Sequence, residues 1–206
     1  MKRNYQIELE NELSKISTPR RLLLHACCAP CSSYVLEYLT SCFDITVYFY
    51  NPNITSREEY SKRLSELYRL VSLMPHENLI EVIDGDYEPE RFLGLSRGLE
   101  TLPEGGARCF SCYRLRLEKT AEYYAARRGD FDYFATTLTV SPHKNAEKLN
   151  EIGFELADKY SLKWLPSDFK KREGYKRSIE LSRLYGLYRQ DFCGCEFSRR
   201  LKHGDD

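Results

Sequence analysis

Seven of the eight cysteines in this chain fall in three tight groups: Cys27-Cys28-Ala29-Pro30-Cys31, Cys109-Phe110-Ser111-Cys112 and Cys193-Gly194-Cys195. Thiolates spaced as Cys-x-x-Cys can converge on one metal ion or cluster. Three chemistries compete for these residues. A structural zinc site would use four of them, but zinc ribbons pair their Cys-x-x-Cys units about 15 to 20 residues apart. Here roughly 80 residues separate Cys31 from Cys109. A thioredoxin-like dithiol at Cys28-Ala-Pro-Cys31 follows a strand and opens a helix, yet leaves Cys27, Cys109 and Cys112 without a role. A four-thiolate iron–sulfur cluster accompanied by redox-active thiols uses the most cysteines. Cys42 stands alone and reads as a small buried hydrophobe.

Cys193-Gly194-Cys195 is a separate case. One intervening residue makes a small, strained disulfide ring, and strain raises the reduction potential. Gly194 gives the backbone freedom to close it. Such a pair suits electron exchange better than stapling, the alternative being two metal ligands on a C-terminal loop.

The elements that must position these thiols alternate. Arg21 to Ala26 is a short apolar strand running into the first cysteine group, with a helix starting near Ser32 or Ser33. Asp44 to Tyr50 is a second strand, and Thr55 and Glu58 match a capping box for the next helix. Leu79 to Ile83 is a third strand. Residues 84–108 read as an acidic surface excursion, and a helix begins near Cys109. A fourth strand lies within 131–140, and Lys163 to Pro166 forms a brief fifth. Further helices cover 149–160 and 174–187. Residues 1–19 are a polar tail or leading helix. The pattern predicts one α/β domain over 20–206, Rossmann-like, with a mainly parallel sheet of about five strands and helices on both faces. Ligands of such sheets bind beyond the carboxyl ends of the strands, so cysteine groups far apart in sequence can meet there.

The chain has 206 residues, 42% hydrophobic, 30% charged and with no net charge, so no global field recruits nucleic acid. Local patches differ: 163–206 holds eleven Lys and Arg against seven Asp and Glu. Met1-Lys2-Arg3-Asn4-Tyr5 is followed by no apolar stretch, so the expectation is a cytoplasmic, reducing compartment without a membrane span, where cysteines serve metals or redox. No Gly-x-Gly-x-x-Gly fingerprint appears, which argues against hydride transfer from a bound dinucleotide.

Five segments together resemble the QueH-type epoxyqueuosine reductase family: His25-Ala-Cys-Cys-Ala-Pro-Cys31; Tyr50-Asn-Pro-Asn-Ile54 followed by Glu59-Tyr60; Arg108-Cys109-x-x-Cys112-Tyr-Arg-Leu-Arg116; Phe134-Ala-Thr-Thr-Leu-Thr-Val-Ser-Pro-His-Lys144; and Asp191-Phe-Cys-Gly-Cys195. The similarity spans about residues 20 to 198, and no cysteine of the pattern is missing. The sheet also resembles the nucleotide-binding domains of tRNA-modifying sulfur transferases. Those carry a Ser-Gly-Gly phosphate loop where this chain has Cys-Cys-Ala-Pro-Cys, so a metal site takes the place of a phosphate site.

The resemblance implies the last step of queuosine formation in tRNA, reduction of an epoxide on a cyclopentane ring to an alkene. It implies a [4Fe–4S] cluster on Cys27, Cys28, Cys109 and Cys112, and Cys193 and Cys195 as a redox-active pair. An additional iron is also implied, with Cys31 a candidate ligand by proximity. Substrate would be tRNA bearing epoxyqueuosine, and an external low-potential donor would supply electrons. Lys170, Lys171, Arg172, Lys176 and Arg177 are expected to meet tRNA phosphates. The competing function is a zinc-stabilised tRNA-binding module without catalysis. His25 reads as a core histidine, His143 as a substrate or capping residue, and Arg114 and Arg116 as phosphate contacts or a solvated helix face.

Overall fold

The computed structural model describes residues 3–198. Arg199, Arg200 and Lys202 of the basic C-terminal stretch, and the end of the expected 20–206 domain, lie outside the described residues. The chain runs α1 (Tyr5–Leu13), β1 (Arg20–His25), α2 (Ala29–Leu39), β2 (Phe43–Phe49), α3 (Arg57–Leu73), β3 (Ile80–Asp84), α4 (Pro89–Ser96), α5 (Ala107–Ala125) and β4 (Tyr133–Thr136). A 3₁₀ turn (Thr137–Val140), α6 (Ala146–Tyr160) and α7 (Gly174–Leu184) follow.

The four strands form one parallel sheet in the order β3-β2-β1-β4. Alternation along β1 divides the core. Leu22 and Leu24 face one way, onto Leu36 and Leu39 of α2, Leu67 and Leu70 of α3, and Leu181 of α7. Leu23 faces the other way, with Phe134 of β4, onto Leu117 and Ala121 of α5 and Leu149 and Ile152 of α6. Helices therefore cover both faces, as parallel sheets require. The α1 helix adds Leu9 to the first layer, with Asn4 capping its start through Gln6 N and Ile7 N.

The expected fifth strand is a correction. Residues 163–165 make a single bridge to the outer edge of β4, Phe134 to Trp164, through Phe134 N to Lys163 O and Leu165 N to Phe134 O. Pro166 has no N–H to continue a ladder, so among the described residues the sheet has four strands. Helix starts also move. Cys28, not Ser32 or Ser33, is the N-cap of α2, with Pro30 in the first turn, a position proline favours. The Ser32 and Ser33 hydroxyls donate instead to Cys28 O and Pro30 O. Ser56, one residue past the expected Thr55, caps α3 through Glu59 N. The acidic excursion contains α4, which buries Phe92.

The strand order reverses between β1 and β4. This leaves a crevice past their carboxyl ends, where ligands of such sheets bind. Both the segment after His25 and the segment after Thr136 open onto it.

The closest packing on the α6 side is at Gly153. A Cβ there would sit 2.2 Å from Trp164 Cε2, inside the ring of a buried side chain whose Nε1 donates to Asn150 Oδ1 at 3.0 Å. Overpacking of this kind costs about 1–3 kcal/mol. Gly153→Ala should therefore lower the urea midpoint of unfolding measured by circular dichroism. An unchanged midpoint would mean that α6 and Trp164 have slack that the structure does not show.

Candidate metal centre

Cys27 follows β1, Cys28 caps α2 and Cys31 lies in that helix's first turn. Their three Sγ atoms lie within 4.8 Å of one another, with Cys27 and Cys28 Sγ 3.7 Å apart. Cys109 and Cys112 occupy the start of α5, one turn apart on one face, and Gly105 N donates to Cys109 Sγ at 3.3 Å. Both groups thus sit at helix N-termini, where unpaired N–H groups and the helix dipole favour thiolate.

The third group is held from outside its own segment. Gly194 has φ of +100°, and a Cβ there would lie 2.8 Å from Ile54 Cγ1 and 3.2 Å from Arg63 Nη1. Only glycine combines that conformation with that approach. Buried Arg63 of α3 donates to Cys193 O at 3.2 Å and Phe192 O at 3.3 Å, and to Glu59 Oε1 at 2.6 Å. Asn53 Nδ2 donates to Cys193 O at 3.2 Å and reaches Cys193 Sγ at 3.9 Å. Lys144 Nζ donates to Cys193 Sγ at 3.5 Å.

Two cations set the charge of the site. Arg116 of α5 is fully buried, donating to Asn51 Oδ1 at 2.5 Å and approaching His25 Nε2 at 3.4 Å. Asn51 in turn donates to Ala26 O at 2.8 Å. Burial works against the Arg116 charge, but Cys112, Cys27 and Cys193 together raise its pKa. Burial likewise opposes the Lys144 charge, and Cys193 and Tyr113 overcome it. Hydrogen bonds from Cys28 and Cys31 hold Cys27 well below the usual thiol range, helped by Arg116 and Lys144 against burial. The same bonds push Cys28 up to about 12 and Cys31 well above its ordinary value. Three mutually close thiols of unequal acidity thus make a donor set that a cation would complete. Burial pushes Cys112 up to about 12 and Cys195 up to about 11, and raises Cys109. His25 is buried between Thr136 Oγ1 at 2.9 Å and Tyr50 O at 3.1 Å. Burial and Arg116 lower its pKa to about 3, which keeps it a neutral core histidine.

A cavity of about 310 Å³ opens at this place, lined by Cys27, Cys31, Cys193, Arg116, His143 and Lys144 among others. A smaller adjoining cavity is lined by Cys109, Cys112, Cys193 and Cys195, with Arg116 and Lys144 again in the wall. The structure thus gathers six cysteines around two cavities with a shared wall, with Cys28 packed behind Cys27. Among the described residues it draws only Cys27, Cys28 and Cys31 into one compact ligand group. Cys42 packs at the edge of the core, remote from this site.

The residues expected at tRNA phosphate are largely ion-paired: Lys170 with Asp168, Arg172 with Glu10, Lys176 with Glu173, and Arg177 with Glu37 and Glu180. Lys170 and Lys171 line a surface cavity that also reaches Lys144. Arg114 is at the surface, paired with Glu155, whereas Arg116 points into the thiol site. The sequence placed Asn51 and Asn53 within reach of the pocket and Lys144 beside His143, but Arg63 was missed as a wall of this site. The i,i+4 pair Glu59–Arg63 was a visible signal, but it reads equally as a solvated helix face.

A model of the family described as epoxyqueuosine reductase QueH matches residues 22–201. The epoxyqueuosine reductase QueH of Streptococcus pyogenes serotype M1 is 46% identical over 190 residues, covering 91% of this chain and 74% of that protein. The protein of the same name from Staphylococcus epidermidis is 44% identical over 190 residues, covering 90% of this chain and 79% of that one. The one from Thermotoga maritima is 36% identical over 193 residues, covering 89% and 94%. With its cysteine groups, its crevice and these similarities in agreement, the chain belongs to the QueH family of epoxyqueuosine reductases.

Proposed function

We propose that this chain reduces the epoxide of epoxyqueuosine in tRNA to the alkene of queuosine, the last step of queuosine formation. The reaction is a two-electron, two-proton deoxygenation that releases water. The observation that carries this reading is the convergence of cysteines from three separate segments on the shared wall formed by Arg116 and Lys144. We further read residues 20–206 as one Rossmann-like catalytic domain, working in the reducing cytoplasm with an external low-potential donor.

The donor set fits an iron–sulfur group. It offers soft thiolates at two helix N-termini, with buried positive charge to offset them. On this reading Cys27, Cys28, Cys109 and Cys112 hold a [4Fe–4S] cluster, and Cys31, packed against the first two thiols, is a candidate ligand of an additional iron. Such a group would supply electrons one at a time and stabilise charge on an oxygen. The chain's own residues do the rest. Arg116, itself buried, balances thiolate charge. Val140 gives the cavity an apolar wall, and His143, Lys144 and Tyr175 line it with groups able to hold a proton. Cys193 and Cys195 form the redox-active pair of the reading, at the junction of the two cavities.

Three outcomes are expected. Anaerobic incubation of cluster-loaded protein, a low-potential reductant and tRNA bearing the epoxide should give a nucleoside lighter by one oxygen on mass analysis. No mass change across several donors with fully loaded protein would rule the reaction out.

The Cys109→Ala, Cys112→Ala double variant should lose iron and sulfide together by elemental and sulfide analysis. Full loading of that variant would remove Cys109 and Cys112 from the ligand set, and a colourless protein carrying only zinc would favour the non-catalytic binding module.

Each phosphate contact adds about 0.7 to 0.9 to the slope of log K against log salt. Charge reversal of Lys170 and Lys171 should therefore weaken tRNA binding and flatten that slope. If affinity and slope stay the same, the patch with its carboxylate partners is ordinary surface.

A further inference from the structure

The two thiols of the C-terminal pair stand in unlike surroundings. Cys193 is half-buried and faces the 310 Å³ cavity as well as the smaller one, whereas Cys195 is buried and faces only the smaller one. Two side-chain donors converge on Cys193 Sγ: Lys144 Nζ at 3.5 Å and Asn53 Nδ2 at 3.9 Å. Neither reaches Cys195 within hydrogen-bonding distance. The Cys193 carbonyl is clamped by Arg63 and Asn53, and Gly194 is wedged against Arg63 and Ile54. The sulfur is thus presented to the cavity in a fixed orientation.

From this asymmetry we infer that Cys193 is the thiol that exchanges with the external reductant, that Cys195 is the resolving thiol, and that Lys144 is the positioning residue that makes Cys193 the better nucleophile and leaving group. The inference rests on the reading of Cys193 and Cys195 as a redox-active pair and assigns unequal roles within it. An ammonium donating to a sulfur stabilises the negative charge that builds on it during exchange, and exchange rates follow access and the quality of the leaving group.

With a dithiol as reductant the steps balance. A donor thiolate attacks Cys193 Sγ of the Cys193–Cys195 disulfide. A sulfur–sulfur bond forms between donor and Cys193, the protein disulfide breaks, and Cys195 leaves as a thiolate that takes up a proton. The donor's second thiolate then attacks the donor sulfur bonded to Cys193. The donor closes to its own disulfide, and Cys193 leaves as a thiolate beside Lys144. Two electrons pass from donor to protein; of the two protons that the donor thiols give up, one goes to Cys195 and the other to solvent. Attack at Cys195 would have to come through the smaller cavity, past Cys109 and Cys112.

The test uses anaerobically purified holoenzyme, with glutathione disulfide as probe and peptide mass mapping as readout. In Cys195→Ser a glutathione adduct should form at Cys193. In Cys193→Ser the adduct at Cys195 should form slower by about tenfold or more. Lys144→Met in the Cys195→Ser background should slow adduct formation at Cys193 by about tenfold, and Lys144→Arg should restore most of it. Substoichiometric iodoacetamide on the unaltered protein, which needs no variant to fold, should label Cys193 ahead of Cys195. Faster reaction at Cys195, in the variants or in the unaltered protein, overturns the assignment. An unchanged rate in Lys144→Met, or no recovery with Lys144→Arg, overturns the role of Lys144. Mapping of the Cys193–Cys195 disulfide after one equivalent of oxidant separates the two levels. If the disulfide forms and the labelling order is reversed, only this assignment falls. If no disulfide forms, the redox pair and the assignment fall together.

Discussion

Burying a guanidinium costs several kcal/mol unless its charge is met, and Arg116 is buried to 1% exposure at the centre of this molecule. Much of the site's layout answers that demand. Asn51 at the end of β2 accepts from it while holding Ala26 O after β1, so one side chain of α5 joins the carboxyl ends of two strands. Cys27, at the start of α2 and held low as a thiol partly by Arg116, supplies opposing charge. Burial, with the same charge, keeps His25 neutral, so the imidazole serves as a spacer between Thr136 and the Tyr50 carbonyl. A neutral residue in place of Arg116 would leave Asn51 without its donor and Cys27 without a counter-charge. Geometry and electrostatics of the centre therefore stand or fall together.

The layered fold was legible wherever a residue pattern had one physical reading. The apolar run within 21–26 was a buried strand, and 44–50 was a second beside it. Alternation of these elements yielded a parallel sheet covered on both sides. The differences arose where local chemistry offered equivalent choices. Ser32 and Ser33 are good caps, but Pro30 suits a first turn and drew the helix start back to Cys28. Thr55 and Ser56 are nearly interchangeable as caps, and the chain used the second. Lys163–Pro166 has strand composition, but its proline stops the ladder after one bridge.

The site was legible as cysteine types and spacing, and as the sheet edge where the groups would meet. Its charged walls were not. Arg116 and Arg114 are neighbours in the same motif, and only packing decides that one faces thiols while the other pairs with Glu155. Arg63 sits on a helix rich in charge, where nothing local separates an exposed guanidinium from one buried against Cys193 and Phe192 carbonyls. The basic stretch after residue 163 was visible as composition, but its partners Glu10 and Glu37 lie more than a hundred residues away. Charge tallies along a sequence do not contain that pairing.

Residues 187–195 carry no helix or strand, and side chains from elsewhere hold them in place. Arg69 donates to the carbonyls of Tyr185 and Gly186, Glu66 accepts from Tyr188 N, and Arg63 and Asn53 grip Phe192 and Cys193. This wall of the cavity is fastened to α3 and its preceding loop by a handful of hydrogen bonds spanning well over a hundred residues of chain. The opposite wall rests on β1, paired on both edges at the heart of the sheet. Segments with few ladder bonds open at a fraction of the global unfolding free energy. The cavity is thus a jaw with one fixed side and one releasable side. The cysteines of the first group ride on the fixed side, and the C-terminal pair rides on the side that can let go while the sheet stays folded.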